Sequence, residues 1–204
     1  MEILFSVIIL IFSIVIHEIA HGSAANYLGD PTAKYAGRLS LNPIKHLDPI
    51  GSVFLPLLLI ILRSPFLIGW AKPVPINPYN FRDQKYGPAK SALAGPAANL
   101  SIALVFGLVL RFFPALTEVK GFSEMFYYII FINILLAVFN LLPIPPLDGS
   151  HILFTFLPIS MQKFRILLDQ FGIFILLFFI YFLFNFLIII VRWIFTLITG
   201  ISAI

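Results

Sequence analysis

The chain has 204 residues, of which 60% are hydrophobic and 11% charged, and it contains no cysteine. Soluble domains average about 45–50% apolar and about 25% charged residues, so the composition excludes an ordinary water-soluble globule. The missing cysteines exclude a disulfide framework and a thiolate metal site, leaving only nitrogen and oxygen ligands for any metal. The net charge of +4 does not argue for nucleic acid. The basic residues lie in short loops beside apolar spans, where they act as topology signals.

The first span runs from about Ile3 to Leu28 and ends at Gly29-Asp30-Pro31, a helix-stopping sequence. The run from Ile3 to Ile16 follows an acidic Glu2 and has no small-residue cleavage site, so it reads as a retained span and not as a signal peptide. The segment from Pro49 to Ala71 is apolar but interrupted by Pro56, Arg63 and Pro65. Further spans cover about Ser91 to Leu110, a stretch from Met125 broken by Pro143, Pro145 and Pro146, and Phe171 to Val191. The helix broken by these prolines is expected to resume over His151 to Leu157. Met125–Leu147 and Phe171–Val191 carry no charge and exceed the ~18 apolar residues that mark a transmembrane helix. The chain reads as one all-α, multi-pass membrane domain over residues 1–204, without internal repeats.

Charge sets an expected orientation. Lys34, Arg38 and Lys45 follow the first span, and Lys72, Arg82, Lys85 and Lys90 precede the Ser91 span. Positive loops favour the cytoplasm, so both loops belong on that side. Residues 49–71 must then dip into the membrane and return, which needs cover from protein or a water-filled cavity. A simple span is the competing arrangement. The Val and Ile content of 49–71 also admits an extended edge onto which an unwound substrate could add.

The first span contains His17-Glu18-Ile19-Ala20-His21. Helical residues four apart share a face, so both imidazoles can reach one ion, as in the zinc motif His-Glu-x-x-His. Glu18 beside them can take a proton from metal-bound water, whose pKa zinc lowers to about 7. Ionisable groups within a span are costly and functional by default. Two histidines leave a catalytic zinc site one protein ligand short. The candidates are His46, His151, Asp48 and Asp148. Asp148 ranks first, because it follows the long uncharged run and a proline cluster that can turn it inward. A helix cap before Ser150 is its ordinary alternative. Asn140, about two turns upstream, is a candidate to hydrogen-bond the oxyanion, or equally a helix–helix packing residue. Asn99 reads as packing, and His46 and Asp48 as ordering the re-entrant region.

His17-Glu18-x-x-His21 combined with Asn140-x-x-Pro143-x-Pro145-x-x-Asp148-Gly149 resembles the site-two protease family of intramembrane metalloproteases. The resemblance extends to Gly95-Pro96-Ala97-Ala98-Asn99, and Leu41–Gly51 and Gly69–Pro75 look like the short prokaryotic branch. It implies His17, His21 and Asp148 as ligands of one zinc ion per chain, Glu18 as base, a three-span catalytic core and an active site near the cytoplasmic face of the cell membrane. It further implies hydrolysis of peptide bonds within or near transmembrane segments of other proteins. Neither the PDZ nor the cystathionine-synthase-like domain of some relatives is expected within these residues. Substrate selection then rests on the membrane domain, on a regulatory membrane partner or on a homo-oligomer. A metal transporter and a non-catalytic scaffold are the rival classes, and neither needs Glu18 between the histidines.

Overall fold

The computed structural model describes residues 2–62, 69–115 and 121–201, and every regular element among them is helical. Helix α1 spans Glu2–Tyr27, followed by the short α2 (Thr32–Tyr35). A π-helical turn at Pro49–Phe54 leads into α3 (Leu55–Ile61). Then come α4 (Gly87–Phe112), α5 (Phe122–Asn140), α6 (Asp148–Phe156) and α7 (Gln162–Thr199). Four helices, α1, α4, α5 and the one that includes α7, are long and apolar enough to cross a membrane. Such spans satisfy their own backbone hydrogen bonds, the requirement that lipid imposes.

Helix α4 packs against both α1 and α5, and α7 closes the opposite side of α4 and α5. The dry core there joins Ala103 and Leu110 of α4, Phe126, Ile130 and Ile134 of α5, and Leu187, Val191 and Phe195 of α7. The span expected at Phe171–Val191 is part of a much longer helix that also takes in the apolar tail after Arg192. At 1.5 Å per residue α7 is roughly 57 Å long, against a hydrocarbon core of about 30 Å. Lys163, Arg165 and Asp169 lie in its first turns, where it can emerge into water. Gly200 ends it in the left-handed conformation, and Arg111 Nη1 donates to the carbonyl of Leu197 at 2.9 Å. A cation thus meets the negative end of the helix dipole.

The segment after Pro49 turns back on itself. Trp70 N–H donates to Gly51 O at 3.2 Å, Ser52 Oγ donates to Trp70 O at 2.7 Å, and Lys72 N–H donates to His46 O at 2.9 Å. A full span would hold its two ends about 30 Å apart. These contacts join them, so both ends of the segment lie on one face of the bundle, as a re-entrant path requires. The loops share one face of the bundle, because Arg82 N–H also reaches Leu28 O at 3.0 Å. One expectation is corrected: residues 49–61 are helical, so this part offers no extended edge for strand addition. The run Leu55-Pro-Leu-Leu-Leu-Ile-Ile is rich in leucine, a good helix former, and Asp48 starts the turn by accepting from Ile50 and Gly51 N–H. Arg63 and Pro65 lie outside the described residues.

Candidate active site

His17 and His21 project from one face of α1, about 15 Å and 9 Å from its C-terminal end by helical rise. Asp148 is the first residue of α6. It is brought opposite the histidines by the turn that follows α5, where the prolines stop the helix. Leu147 is the N-cap residue of α6, so the Asp148 carboxylate does not serve as its cap. Instead Oδ2 lies 3.1 Å from both His17 Nε2 and His21 Nε2, and the two Nε2 atoms lie 3.0 Å apart. Gly149 permits this approach: a Cβ there would stand 2.2 Å from Leu141 O and 2.4 Å from Leu142 O.

The other nitrogen of each ring is held as well. His21 Nδ1–H donates to the backbone carbonyl of Ser91 at 2.7 Å, and His17 Nδ1–H donates to Asn99 Oδ1. A neutral imidazole that donates from Nδ1 presents a bare lone pair at Nε2. The two ring nitrogens and a carboxylate oxygen therefore converge, a set that one shared cation, metal or proton, can satisfy. Ligand atoms around a tetrahedral zinc at 2.0–2.1 Å stand about 3.3 Å apart. The observed triangle is within a few tenths of an ångström of that figure. Two imidazole nitrogens and one carboxylate oxygen are also a zinc-type donor set. Among the described residues this is the one such cluster of histidine and acidic side chains.

Helix α4 supplies the floor of the site. A Cβ on Gly95 would stand 2.3 Å from His21 Nε2 and 2.7 Å from His17 Cε1, so only glycine lets both rings lie against the helix. Ser91, Gly95 and Asn99 are spaced by four, as are Ser13, His17 and His21 on α1. Each set forms one stripe on its helix.

A cavity of about 390 Å³ opens beside the cluster. Glu18, Asn140 and His151 line it, together with Pro73, Val74 and Ile76 of an extended strap. The strap is pinned at several points. Val74 N–H donates to Glu18 Oε2 at 2.8 Å, the buried Arg38 donates to Lys72 O at 2.6 Å, and Asn77 N–H donates to Asp30 Oδ2 at 2.7 Å. Asp30 also accepts from Thr32 and Asn80. Burial pushes its carboxyl up, but these hydrogen bonds outweigh that and hold it below the ordinary value.

The remaining candidates separate cleanly. Asn140 lines the cavity, and its amide donates to Leu136 O of its own helix at 2.9 Å. His151 is in the cavity wall but outside the three-atom cluster. His46 is buried elsewhere, with Nε2–H donating to Ser40 O at 2.8 Å, beside a second cavity lined by Val7, Ile11 and Trp70. Asp48 caps the π-helical turn. Sequence reasoning assigned Asn99 to packing and overlooked Ser13, Ser91 and Asn133. The last of these bonds to Asn99 at 2.7 Å. A signal for Ser13 and Asn133 existed, since polar side chains within otherwise apolar spans tend to bond across helices.

Comparison with known proteins gives this geometry its context. Residues 114–179 match the model of Peptidase family M50. YwhC of Bacillus subtilis, which bears the name of a zinc metalloprotease, is 39% identical over 177 residues, covering 84% of this chain and 77% of YwhC. Rip2 of Mycolicibacterium smegmatis, named in the same way, is 35% identical over 140 residues, and the matched region spans 52% of Rip2 and 68% of this chain. MJ0611 of Methanocaldococcus jannaschii, with a name of the same kind, is 43% identical over 67 residues, 31% of this chain and 32% of its own length. No solved structure matches the chain significantly. The fold and these relatives define a membrane zinc metalloprotease. The chain belongs to Peptidase family M50, the site-two protease family that its motifs resemble.

Proposed function

We propose that this protein hydrolyses peptide bonds within or near the transmembrane segments of other membrane proteins. In this reading residues 1–204 act as one domain, and His17, His21 and Asp148 hold a single zinc ion. The observation that carries the reading is the convergence of His17 Nε2, His21 Nε2 and Asp148 Oδ2, 3.0–3.1 Å apart, beside Glu18 within a transmembrane helix. Buried ionisable groups at such depth are costly unless they are used together.

Zinc, when bound, supplies Lewis acidity that makes water a nucleophile near neutral pH and polarises a carbonyl. Glu18 accepts the proton of the attacking water and passes it to the departing amine. The hydrogen bond from Val74 N–H fixes one carboxylate oxygen and leaves the other free for this transfer. Asn140 has a second amide N–H beyond the one given to Leu136 O, and it can donate to the carbonyl oxygen as negative charge develops. The strap from Trp70 to Ile76 borders the cleft, so an unwound substrate segment would lie between it and the zinc ligands. A helical substrate must first lose local hydrogen bonds, so helix-weakening residues near the cleaved bond favour turnover.

The cleft lies toward the end of α1 that joins the basic loops. Positive loops favour the cytoplasm, which supports a cell-membrane enzyme with its active site near the cytoplasmic face. Glu18→Gln tests the catalytic assignment. Purified in detergent and given a model membrane substrate, the variant should lose about 10²- to 10⁴-fold in rate, the usual span for a general base, while its zinc content stays close to that of the parent. Near-parental cleavage would remove Glu18 from the chemistry. Metal flux in sealed vesicles that survived the substitution would point to a transporter instead.

A further inference from the structure

The two histidines are oriented by chemically different partners. His21 donates to a backbone carbonyl, which can only accept. His17 faces a side-chain amide, which accepts from one end and donates from the other. Turned around, Asn99 would offer N–H to His17 Nδ1. The ring proton would then move to Nε2 and point at His21 and Asp148, where it would block a metal. Something must therefore hold the amide in one sense.

That hold comes from α5 and α1. Asn133 Nδ2 donates to Ile129 O at 2.8 Å and to Ser13 Oγ at 3.0 Å. Reversing Asn133 would set its oxygen against the Ile129 carbonyl, so its Oδ1 must face the other way. There it accepts from Asn99 Nδ2 at 2.7 Å. Asn99 Nδ2 also donates to Ser13 O, at a longer 3.2 Å, so Asn133 is its nearer anchor. With both N–H groups engaged, only Asn99 Oδ1 remains for His17 Nδ1. Asn99 and Asn133 are both 0% exposed, so water cannot substitute for a missing partner without structural change.

We propose that Asn133, acting through Asn99, is a positioning residue that fixes His17 in its Nδ1–H tautomer and keeps the Nε2 lone pair directed at the metal. The inference rests on His17 being a zinc ligand. Its physical basis is the orientation of a ligand imidazole by the group bonded to its other nitrogen.

The test reads the tautomer without metal. Nitrogen NMR of the full chain in detergent, stripped of zinc and labelled at histidine, resolves its 4 histidines at alkaline pH. His17→Gln assigns one of the signals. The parent and Asn133→Gln, which keeps an amide oxygen for Asn99 and an amide N–H for the Ile129 carbonyl, should both hold His17 as Nδ1–H. Asn133→Leu should admit the Nε2–H form at His17 and leave His21 unchanged, because the Ser91 carbonyl still holds it. Zinc affinity should fall about 10- to 100-fold in Asn133→Leu and stay near the parental value in Asn133→Gln. Asn133→Ala makes the same comparison if the leucine variant does not fold. An unchanged His17 tautomer in the truncated variants overturns the proposal, even if zinc binding weakens. Full zinc affinity in His17→Gln would instead overturn the ligand reading. The two failures are distinguishable because the tautomer is measured in metal-free protein.

Discussion

Gly95→Ala adds one methyl group directly beneath the imidazole pair. Its Cβ would stand 2.3 Å from His21 Nε2, 2.6 Å from His21 Cε1 and 2.7 Å from His17 Cε1. Non-bonded heavy atoms rest about 3.5 Å apart, so the overlap with His21 is roughly 1 Å. His21 cannot simply retreat, because its Nδ1 is tied to Ser91 O at 2.7 Å. The backbone of α4 must shift, or the ring must leave its place. Overpacking of this kind costs about 1–3 kcal/mol in stability. The effect on the site should be larger than the effect on the fold, since a metal site tolerates ligand displacements of only about 0.2 Å. A misplacement of about 1 Å can cost roughly 10²-fold in rate. The expected variant is therefore folded, substoichiometric in zinc and at least about 100-fold less active. Elemental analysis, a melting curve in detergent and cleavage of a model substrate measure the three quantities. Full zinc occupancy with near-parental activity would refute the packing of both rings on Gly95.

Other substitutions divide along the same geometry. Asp148→Ala should lose bound zinc as well as activity, whereas His46→Ala and His151→Ala should keep most of their zinc; the reverse pattern would redraw the ligand set. The chain has no cysteine, so single cysteines at Lys34, Arg82 and Glu124 can be labelled cleanly, with the first two expected from the cytoplasmic side and the third from the opposite side. Labelling of 34 and 82 from different faces would contradict the re-entrant path. Asp30 has a folded pKa below its unfolded value of about 3.9, so its contribution is complete above that value and is lost as pH falls through the lower, folded one. Asp30→Asn should thus melt below the parent at neutral pH, with the difference narrowing under acid. A constant difference down to pH ~3 would show that the carboxylate charge is not what its partners recognise.

The parts of the site legible in the sequence are those set by local geometry. His17 and His21 share a face because helical residues four apart always do. Asp148 was marked by an uncharged run ending in prolines. What brings Asp148 to the histidines is tertiary, a contact across 127 and 131 residues, and no periodicity encodes it. The re-entrant path was inferred from charge alone, whereas backbone bonds between Trp70 and Gly51 bring the two ends of the segment together, as that path requires. The extended edge read into Pro49–Ala71 did not materialise at residues 49–61. Apolar runs of this length do not distinguish strand from buried helix by pattern, and the leucines favoured helix. Ser91 could not have been found at all, since its contribution to His21 is a backbone carbonyl that any residue would possess.

The pairing of α1 with α4 shows why the site needs more than its ligands. Going up α1, the positions are Ser13, His17 and His21; going down α4, they are Asn99, Gly95 and Ser91. Asn99 bonds to Ser13 O and His17, Gly95 receives both rings, and Ser91 O takes His21 Nδ1–H while its hydroxyl donates to His21 O at 3.1 Å. The helices are therefore antiparallel and locked in one register by polar bonds at both ends of the site. A slip of one turn, about 5.4 Å, would put Asn99 or Ser91 where only glycine fits and would leave the ring nitrogens without partners. In a lipid environment the apolar faces supply little direction of their own, because the surrounding acyl chains are as apolar as the helices. The polar stripe thus serves two ends with the same bonds: it fixes which residues of α1 and α4 meet, and it sets both imidazoles with Nε2 facing Asp148.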